Sequence, residues 1–235
     1  MTWSLVARDA TGALGVAVAS KFFAVGALCP AVRTAKGALS TQALMNPLYA
    51  RDGLRMLDDG LLVDEIVARL IAADPGRDVR QVHILDASGR SAAHTGACCV
   101  EWCGSLAGKD YSVAGNMLAG PQVLAETARA FEAGTGLAFA ERLLEAMSAG
   151  EAAGGDKRGR QAAALLIHTT EDYPFLDLRV DDHEDPLREL RRLHMKSLER
   201  YQPFLACLPK RGDPEGITDR AVIEARIERF HAQRG

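Results

Sequence analysis

The sequence predicts an α+β domain of four layers, with helices outside two stacked β-sheets, followed by a helical C-terminal extension. Apolar strand-like runs and amphipathic helical runs occur in groups, in the order strands, two helices, strands, two helices, strands. Turn-rich tetrapeptides join neighbouring strand-like runs, as in antiparallel hairpins. From Pro186 onward the composition changes to charged helix. We therefore assign residues 1–185 to the αββα domain and residues 186–235 to the extension.

The composition is typical of a soluble globular protein. Of the 235 residues, 48% are hydrophobic and 25% are charged, which is enough apolar material for a sizeable core. The net charge of −3 argues against nucleic acid as an obligate partner. No apolar run approaches the length of a membrane span, and no secretory leader is recognisable. The five cysteines, an odd number, suit reduced thiols. We expect a cytoplasmic protein that binds neither nucleic acid nor membranes.

The first two strands are predicted at residues 2–7 and 14–19, as a hairpin. If Asp9-Ala10-Thr11-Gly12 forms its loop, Thr2 lies opposite Ala19. Side chains alternate along a strand, so Lys21 would share the face of Thr2 as its diagonal neighbour, about 7–8 Å away. A slip of one residue would send Lys21 to the opposite face.

The remaining elements follow from periodicity and from capping signals. Asn46-Pro47 begins a helix, because asparagine is a good N-cap and proline suits the first helical position. Residues 98–109 have the composition of a loop. Strands are predicted at residues 37–43, 79–85, 90–94, 111–117, 161–168 and 176–180. Helices are predicted from Asn46 to about Gly60 and at residues 64–74, 121–133 and 137–149.

The extension begins with an amphipathic helix. Leu187, Leu190 and Leu193 form an apolar stripe among charged residues. We expect this segment to contact a second copy of the chain, so the expected assembly is a homodimer.

Thr2 is the candidate nucleophile. A threonine at position two is small enough that Met1 is normally removed, which leaves a hydroxyl beside a free α-amine. An α-amine has a pKa of roughly 7.7–8.0, so the residue carries both a nucleophile and its own general base. The sequence has no Gly-x-Ser-x-Gly elbow, and none of its six histidines lies in a recognisable hydrolase pattern. A hydrolase with an internal nucleophile, at Ser20, Ser40 or Thr41, is the alternative.

Two further strings carry chemistry. Residues 154–161 combine three glycines with Asp156, Arg158 and Arg160, which indicates a loop that recognises an anionic group, or else a solvated hairpin loop. Asn116 ends a short strand, where its amide can donate to a developing oxyanion, or else occupies a left-handed turn.

Three other strings do not carry the chemistry that they suggest. Residues 104–110 are one residue short of a phosphate-binding loop and end in aspartate where Ser or Thr should hold magnesium. Cys98, Cys99 and Cys103 contain no C-x-x-C pair that would favour zinc. The acidic run that ends in Asp185-Pro186 reads as a helix start. We expect no metal and no cofactor.

Several strings resemble those of one bacterial and archaeal family, domain of unknown function 1028 (DUF1028), which is placed in the N-terminal nucleophile (Ntn) hydrolase superfamily. The resemblance extends from Thr2 to about Asp185. The matching strings are residues 2–9, 15–21, 42–47, 93–96, 115–120, 154–161 and 178–183. The resemblance implies an αββα sandwich and amide hydrolysis by Thr2 after loss of Met1.

The resemblance also implies roles for individual residues. Lys21 resembles the basic residue beside the nucleophile, and Asn116 is the expected oxyanion donor. Substrate recognition is expected from Asp156 with Arg158 or Arg160, together with Gln42 from a matching string. The expected activity is hydrolysis of a small-molecule amide or ureide. A non-catalytic protein that binds a small molecule or a partner on the same scaffold is the alternative, because fold does not fix function.

Overall fold

The structure, a computed structural model, describes residues 2–233. Met1, Arg234 and Gly235 lie outside the described residues, so the predicted loss of Met1 concerns a residue that is not described. The chain divides into two compact units, Met1–Leu190 and Arg191–Gly235. Helix α5 (Pro186–Glu199) spans this division.

The first unit contains two antiparallel sheets, which confirms the predicted α+β class. The six-stranded sheet has the order β10-β9-β2-β1-β8-β7, and the four-stranded sheet has the order β3-β4-β5-β6. The strands are β1 Thr2–Arg8, β2 Leu14–Ser20, β3 Pro30–Arg33, β4 Gly37–Ala43, β5 Arg80–Asp86, β6 Ser91–Thr95, β7 Trp102–Gly108, β8 Tyr111–Leu118, β9 Ala162–His168 and β10 Leu176–Val180.

Two helix pairs pack on the outer faces of the sheets. Helices α1 and α2 lie against the four-stranded sheet, whereas α3 and α4 lie against the six-stranded sheet. The inner faces meet where β1 and β8 of one sheet contact β4 and β5 of the other. The helices of this unit before α5 are α1 Leu48–Asp58, α2 Val63–Ala73, α3 Gln122–Ala133 and α4 Phe139–Ala152.

The second unit continues α5 and adds two helices, α6 Tyr201–Leu205 and α7 Arg220–Ala232. Arg200 holds α7 through an ion pair in which its Nη1 lies 2.9 Å from Glu224 Oε2. His231 Nε2 lies 2.8 Å from the Glu199 carbonyl oxygen. Within residues 2–233, no helix is both long enough and apolar enough to cross a membrane.

The predicted register of the first hairpin is wrong by one residue. Thr2 pairs with Ser20 instead of Ala19, and Arg8 pairs with Leu14. Consequently Ser20, and not Lys21, shares the face of Thr2.

The reason lies in the loop. Asp9 and Ala13 form the pair that closes it, so it contains the three residues 10–12, whereas the prediction had the four residues 9–12. The Asp9 N–H donates to the Ala13 carbonyl at 3.0 Å, and the Gly12 N–H donates to the Asp9 carbonyl at 3.1 Å. Gly12 has φ +90°, the conformation that follows a type I turn in three-residue hairpins. The Asp9 carboxylate accepts from Thr11 N and Ala13 N, both at 2.9 Å, and so stabilises this shorter loop.

Two strands were not predicted. Residues 98–109 were expected to be a loop, but β7 lies within them and pairs with β8, with an irregular register between Trp102 and Gly104. Strand β3 begins at Pro30 on the other sheet's edge, where a missing N–H is tolerated. Both are edge strands, in which glycine, proline and exposed positions weaken the apolar alternation.

The layer between the sheets changes character along its length. At one end it is apolar, with a fully buried cluster formed by Val6, Leu14, Val16, Ala38 and Leu85. At the other end, where β1 begins and β2 ends, the same inner positions carry buried polar side chains. This polar end contains Thr2.

Leu85→Ala tests the apolar end of this layer. Leu85 is fully buried, so its truncation should lower the free energy of unfolding by about 2–5 kcal/mol. Leu106→Ala is the control, because Leu106 lies on edge strand β7 and is 38% exposed. Equal effects of the two substitutions in urea unfolding would contradict the assigned core.

Candidate functional site

Thr2 lies at the centre of the polar end. It begins β1 and pairs with Ser20 of β2 on one side and with Asn116 of β8 on the other. Its hydroxyl oxygen lies 3.0 Å from Ser20 Oγ. Its carbonyl oxygen accepts from Asn116 Nδ2 at 3.3 Å and from Gln42 Nε2 at 3.4 Å. Thr2 is therefore held by both neighbouring strands and by the opposite sheet.

A triad of buried side-chain amides links the two sheets behind Thr2. Gln81 Oε1 accepts from Gln42 Nε2 at 2.8 Å and from Asn116 Nδ2 at 3.0 Å. Gln81 Nε2 donates to the carbonyls of Gly115 at 2.9 Å and Gly104 at 3.1 Å. These carbonyls accept only, so they fix which end of the Gln81 amide faces the other two. We call Gln42, Gln81 and Asn116 the amide triad.

His83 extends this network as a neutral imidazole. The Ser4 hydroxyl donates to Gln42 Oε1 at 2.7 Å, so its oxygen accepts from His83 Nε2, also at 2.7 Å. His83 Nδ1 then accepts from the Ser112 hydroxyl at 3.0 Å. Burial lowers the pKa of His83 to about 3, so the ring is uncharged at neutral pH. The imidazole joins the sheets rather than serving as a base at neutral pH.

Two predicted residues belong to the amide triad. Gln42 is fully buried and hydrogen-bonded at both ends of its amide, and it links the two sheets. Its binding of substrate stays a prediction. Asn116 directs Nδ2 to Thr2 and Gln81. Its contact with an oxyanion stays a prediction, and one that competes with these two bonds.

Lys21 does not occupy the position that the predicted register gave it. Its Nζ donates to the Arg160 carbonyl at 3.0 Å, and its backbone N–H donates to Asp156 Oδ2 at 2.7 Å. Ser20, the last residue of β2, lies opposite Thr2, so Lys21 begins the segment beyond the strand. Its amine contacts the charged loop and not the Thr2 hydroxyl.

Asp156 and Arg158 are brought together in that loop. Asp156 is buried, and Oδ1 accepts from the Arg158 N–H at 2.8 Å. Arg158 Nη2 lies 3.3 Å from Asp156 Oδ2. An isolated bridge to Leu118 ties Asp156 to the end of β8. Asp156 thus fastens the loop to β2 and β8.

Arg160 points to a different set of groups. Its guanidinium lies 3.3 Å from Glu151 Oε1 and 3.8 Å from Asp185 Oδ2. Burial raises the pKa of Glu151, which favours its neutral form relative to an exposed glutamate. Arg158 and Arg160 therefore pair with different carboxylates: Arg158 with Asp156, and Arg160 with Glu151 and Asp185.

Two cavities are lined by the residues that pair with Thr2, one by Ser20 and the other by Asn116. A cavity of about 130 Å³ is lined by Ser20, Glu151, Asp156 and Arg160, with glycines of the loop. A larger cavity of about 380 Å³ is lined by Asn116 and Arg158 together with large apolar side chains. We call these the polar cavity and the apolar cavity.

The five cysteines all lie within the described residues 2–233 and form no disulfide. Cys98 and Cys99 line the apolar cavity. The Sγ atom of Cys103 lies 3.7 Å from the carbonyl oxygen of Cys99. Across residues 2–233, no three His, Cys, Asp or Glu side chains are grouped as metal ligands.

Sequence reasoning missed Gln81, His83 and Ser4, and it considered Ser20 only as an alternative nucleophile. A signal was present, because Gln81 and His83 lie two residues apart on β5, and Ser40 and Gln42 lie two residues apart on β4, so each pair shares one face of its strand. Such spacing on a buried strand indicates a polar inner face. It does not reveal which residues of the other sheet lie opposite.

Comparison with known proteins gives a matching family and similar solved structures. The sequence pattern of DUF1028, described as a family of unknown function, matches residues 2–190. A crystal structure of a DUF1028 protein from Silicibacter pomeroyi is 32% identical, with a TM-score of 0.86 over 93% of this chain and 99% of that one. The Anbu protein (ancestral β-subunit) from Yersinia bercovieri is 12% identical, with a TM-score of 0.37 over 83% of this chain and 94% of that one. The search of curated proteins gave no significant match.

Gln81→Leu tests the amide triad. The substitution leaves the amides of Gln42 and Asn116 without their shared acceptor and two carbonyls without their donor. The substitution removes four buried hydrogen bonds, and each contributes about 0.5–1.5 kcal/mol net, so we expect a loss of about 3 kcal/mol or more in urea unfolding. Gln122→Leu is the matched control on the exposed start of α3, with an expected change within about 0.5 kcal/mol. Similar losses in both variants would contradict the proposed linkage.

His83→Gln tests the buried imidazole through pH. The folded-state pKa of about 3 lies below the unfolded value of about 6.5, so between them the unfolded chain binds the extra proton. This contribution is fully present above pH 6.5 and is lost as the pH falls, at up to about 1.4 kcal/mol per pH unit. Unfolding free energies at pH 7 and pH 5 should therefore differ by about 2 kcal/mol more in wild type than in His83→Gln. An identical pH dependence would show that His83 is not held neutral by the fold.

Proposed function

This chain belongs to the DUF1028 family, and we propose that it hydrolyses a small-molecule amide or ureide with the Thr2 hydroxyl as nucleophile, after removal of Met1. The observation that carries the proposal is the placement of Thr2 at the start of a central strand. Its hydroxyl contacts Ser20, and its carbonyl is held by two side-chain amides. The helix and sheet order of the first unit agrees with the Ntn-hydrolase sandwich that the sequence resemblance implies.

The environment of Thr2 favours a fixed orientation of its side chain. Strand pairing on both sides fixes the backbone, and Gln42 and Asn116 hold the carbonyl oxygen. Holding a nucleophile in a reactive geometry lowers the entropic cost of attack. Gln42, Gln81 and Asn116 are therefore assigned as positioning residues, and none of them needs to touch the substrate for this role.

In the first step the free amine of Thr2 takes the hydroxyl proton, directly or through a water. Oγ1 then bonds to the carbonyl carbon of the substrate, and the carbonyl oxygen becomes an oxyanion. Ser20 lies directly opposite Thr2, where the predicted register had placed Ala19. Its O–H can donate to Oγ1 as that atom loses its proton, because a hydrogen bond to a charged oxygen is stronger than one to a neutral oxygen.

In the second step the oxyanion collapses and the C–N bond breaks. The leaving nitrogen takes the proton from the Thr2 ammonium, so an ester on Oγ1 and a free amine product result. The neutral Thr2 amine then removes a proton from water, which attacks the ester carbon. Cleavage of the ester returns the proton to Oγ1 and releases the carboxylic acid.

A binding protein without catalysis is the second candidate, and two observations favour it. Thr2 is only 3% exposed, and the Lys21 amine is directed to the Arg160 carbonyl. Among the internal nucleophiles, Ser20 is the rival to Thr2, because it contacts the Thr2 hydroxyl and lines the polar cavity.

Thr2→Ala, Thr2→Ser and Ser20→Ala distinguish these functions. All three keep a small residue at position two, so the expected loss of Met1, checked by intact mass, is the same as in wild type. Against a panel of amides and ureides, Thr2→Ala should lose at least about a thousandfold in kcat, whereas Thr2→Ser should retain measurable activity. Ser20→Ala should lose about 10–100-fold, because one hydrogen bond to the reacting oxygen is removed.

Covalent labelling by a β-lactone, mapped by peptide mass spectrometry, gives the second readout. The label should appear on Thr2 in wild type. Label on Ser20 would favour the internal nucleophile. Complete retention of Met1, or full activity of Thr2→Ala, would exclude the mechanism.

A further inference from the structure

The apolar cavity is surrounded by exposed hydrophobic side chains. Its wall includes Phe22, Leu44, Val79 and Val100. Phe22, Leu44 and Val100 are 46%, 67% and 55% exposed. Single apolar side chains on a surface are ordinary, but three around one opening are a feature of ligand sites and interfaces.

The backbone around this cavity is strained. Ala43 has φ +69° and Met117 has φ +53°, and both line the cavity. These are two of the six non-glycine residues with positive φ in the described chain. A non-glycine residue in this region costs about 1–3 kcal/mol, and such strain is concentrated at ligand and catalytic sites. At both positions it occurs where β4 and β8 end beside the cavity.

The cavity lies next to Thr2. Asn116 lines it, pairs with Thr2 across β1 and β8, and donates to the Thr2 carbonyl. Directly paired residues have Cβ atoms about 4.5–5.5 Å apart. Part of the cavity wall is therefore formed by the residue that pairs directly with Thr2.

One charged side chain lines the apolar cavity among the described residues, and it is Arg158. Its side chain is 41% exposed, and Nη2 lies 3.3 Å from Asp156 Oδ2. A guanidinium carries five N–H donors in one plane and binds carboxylates through two of them at a time. An arginine beside apolar walls suits a ligand that has an apolar body and an anionic end.

We propose that the apolar cavity binds the substrate of the Thr2 reaction, and that this substrate is a small amide that carries an apolar group and a carboxylate, such as an N-acylated apolar amino acid. The apolar group lies among Phe22, Leu44 and Val79, the carboxylate pairs with Arg158, and the amide lies toward Thr2. This inference rests on the proposed function. The volume of about 380 Å³ admits on the order of a dozen non-hydrogen atoms, since a water molecule occupies about 30 Å³.

A ligand series on one protein tests the proposal directly. The protein is Thr2→Ala, in which the cavity residues are unchanged and turnover by Thr2 is removed, and the method is isothermal titration. N-acetyl-L-leucine should bind at least tenfold more tightly than N-acetylglycine, which lacks the apolar group. It should also bind at least tenfold more tightly than N-acetyl-L-leucinamide, which lacks the carboxylate. Equal affinity for the three, or no binding of N-acetyl-L-leucine, would overturn the proposal.

Matched substitutions in the same Thr2→Ala background locate the site. Leu44→Asp should raise the Kd of N-acetyl-L-leucine at least tenfold, whereas Leu62→Asp, at a 52% exposed leucine before α2, should leave it unchanged. Arg158→Gln should raise the Kd of the acid and not that of the amide. Lys157→Gln removes a charge from the neighbouring residue and should change neither. If Leu44→Asp and Leu62→Asp behave alike, the ligand does not occupy this cavity.

The two proposals fail in distinguishable ways. If the ligand series and the variants behave as expected but β-lactone does not label Thr2, the cavity assignment stands and the catalytic proposal fails. If Thr2 is labelled and needed for turnover but the three ligands bind alike, the cavity assignment fails alone.

Discussion

The structure around Thr2 depends on the amide triad, because this set of hydrogen bonds joins the two sheets where their inner faces are polar. Gln81 accepts from one amide on each sheet, and those two amides hold the carbonyl of Thr2. A buried amide is costly unless its donors and acceptors are paired, so the geometry of each member constrains the other two. Thr2 is positioned by this constraint and not by apolar packing, which dominates at the other end of the layer through Val6 and Leu85.

The apolar end and the polar end of the layer between the sheets therefore tolerate substitution differently. The apolar end can be varied in side-chain shape at a modest cost, provided that its volume is filled. The polar end tolerates far less, because each donor there has a specific acceptor. His83 illustrates the point: burial keeps the imidazole neutral, and the contacts with the Ser4 and Ser112 hydroxyls fix which ring nitrogen carries the proton. The proposed reaction of the Thr2 hydroxyl would require such rigidity at this end.

The sequence predicted the α+β class, most of the helices and the strand that carries Thr2, because each follows from local periodicity and capping. It placed Asn116 correctly near a strand end. It misplaced Lys21, because the register of the first hairpin depends on whether the loop has three or four residues, which Gly12 and the Asp9 carboxylate decide together. The pairing of Gln42 with Gln81 joins two strands, and their contact with Asn116 joins two sheets, which no local pattern specifies.

The presence of Ser20 beside Thr2, where Lys21 was predicted, also changes which groups can assist the proposed reaction. An ammonium would stabilise a developing alkoxide by charge, whereas the Ser20 hydroxyl offers one hydrogen bond. The proposed reaction therefore depends more on the Thr2 amine and on the orientation of the substrate. The positively charged groups of Lys21 and Arg160 already have partners, since the Lys21 amine donates to the Arg160 carbonyl and the Arg160 guanidinium pairs with Glu151. Arg158 lines the apolar cavity instead. In the proposed reaction, charge is therefore better placed to hold an anionic substrate than to activate the nucleophile. The proposal thus gives recognition to Arg158 and activation to Thr2, on neighbouring elements.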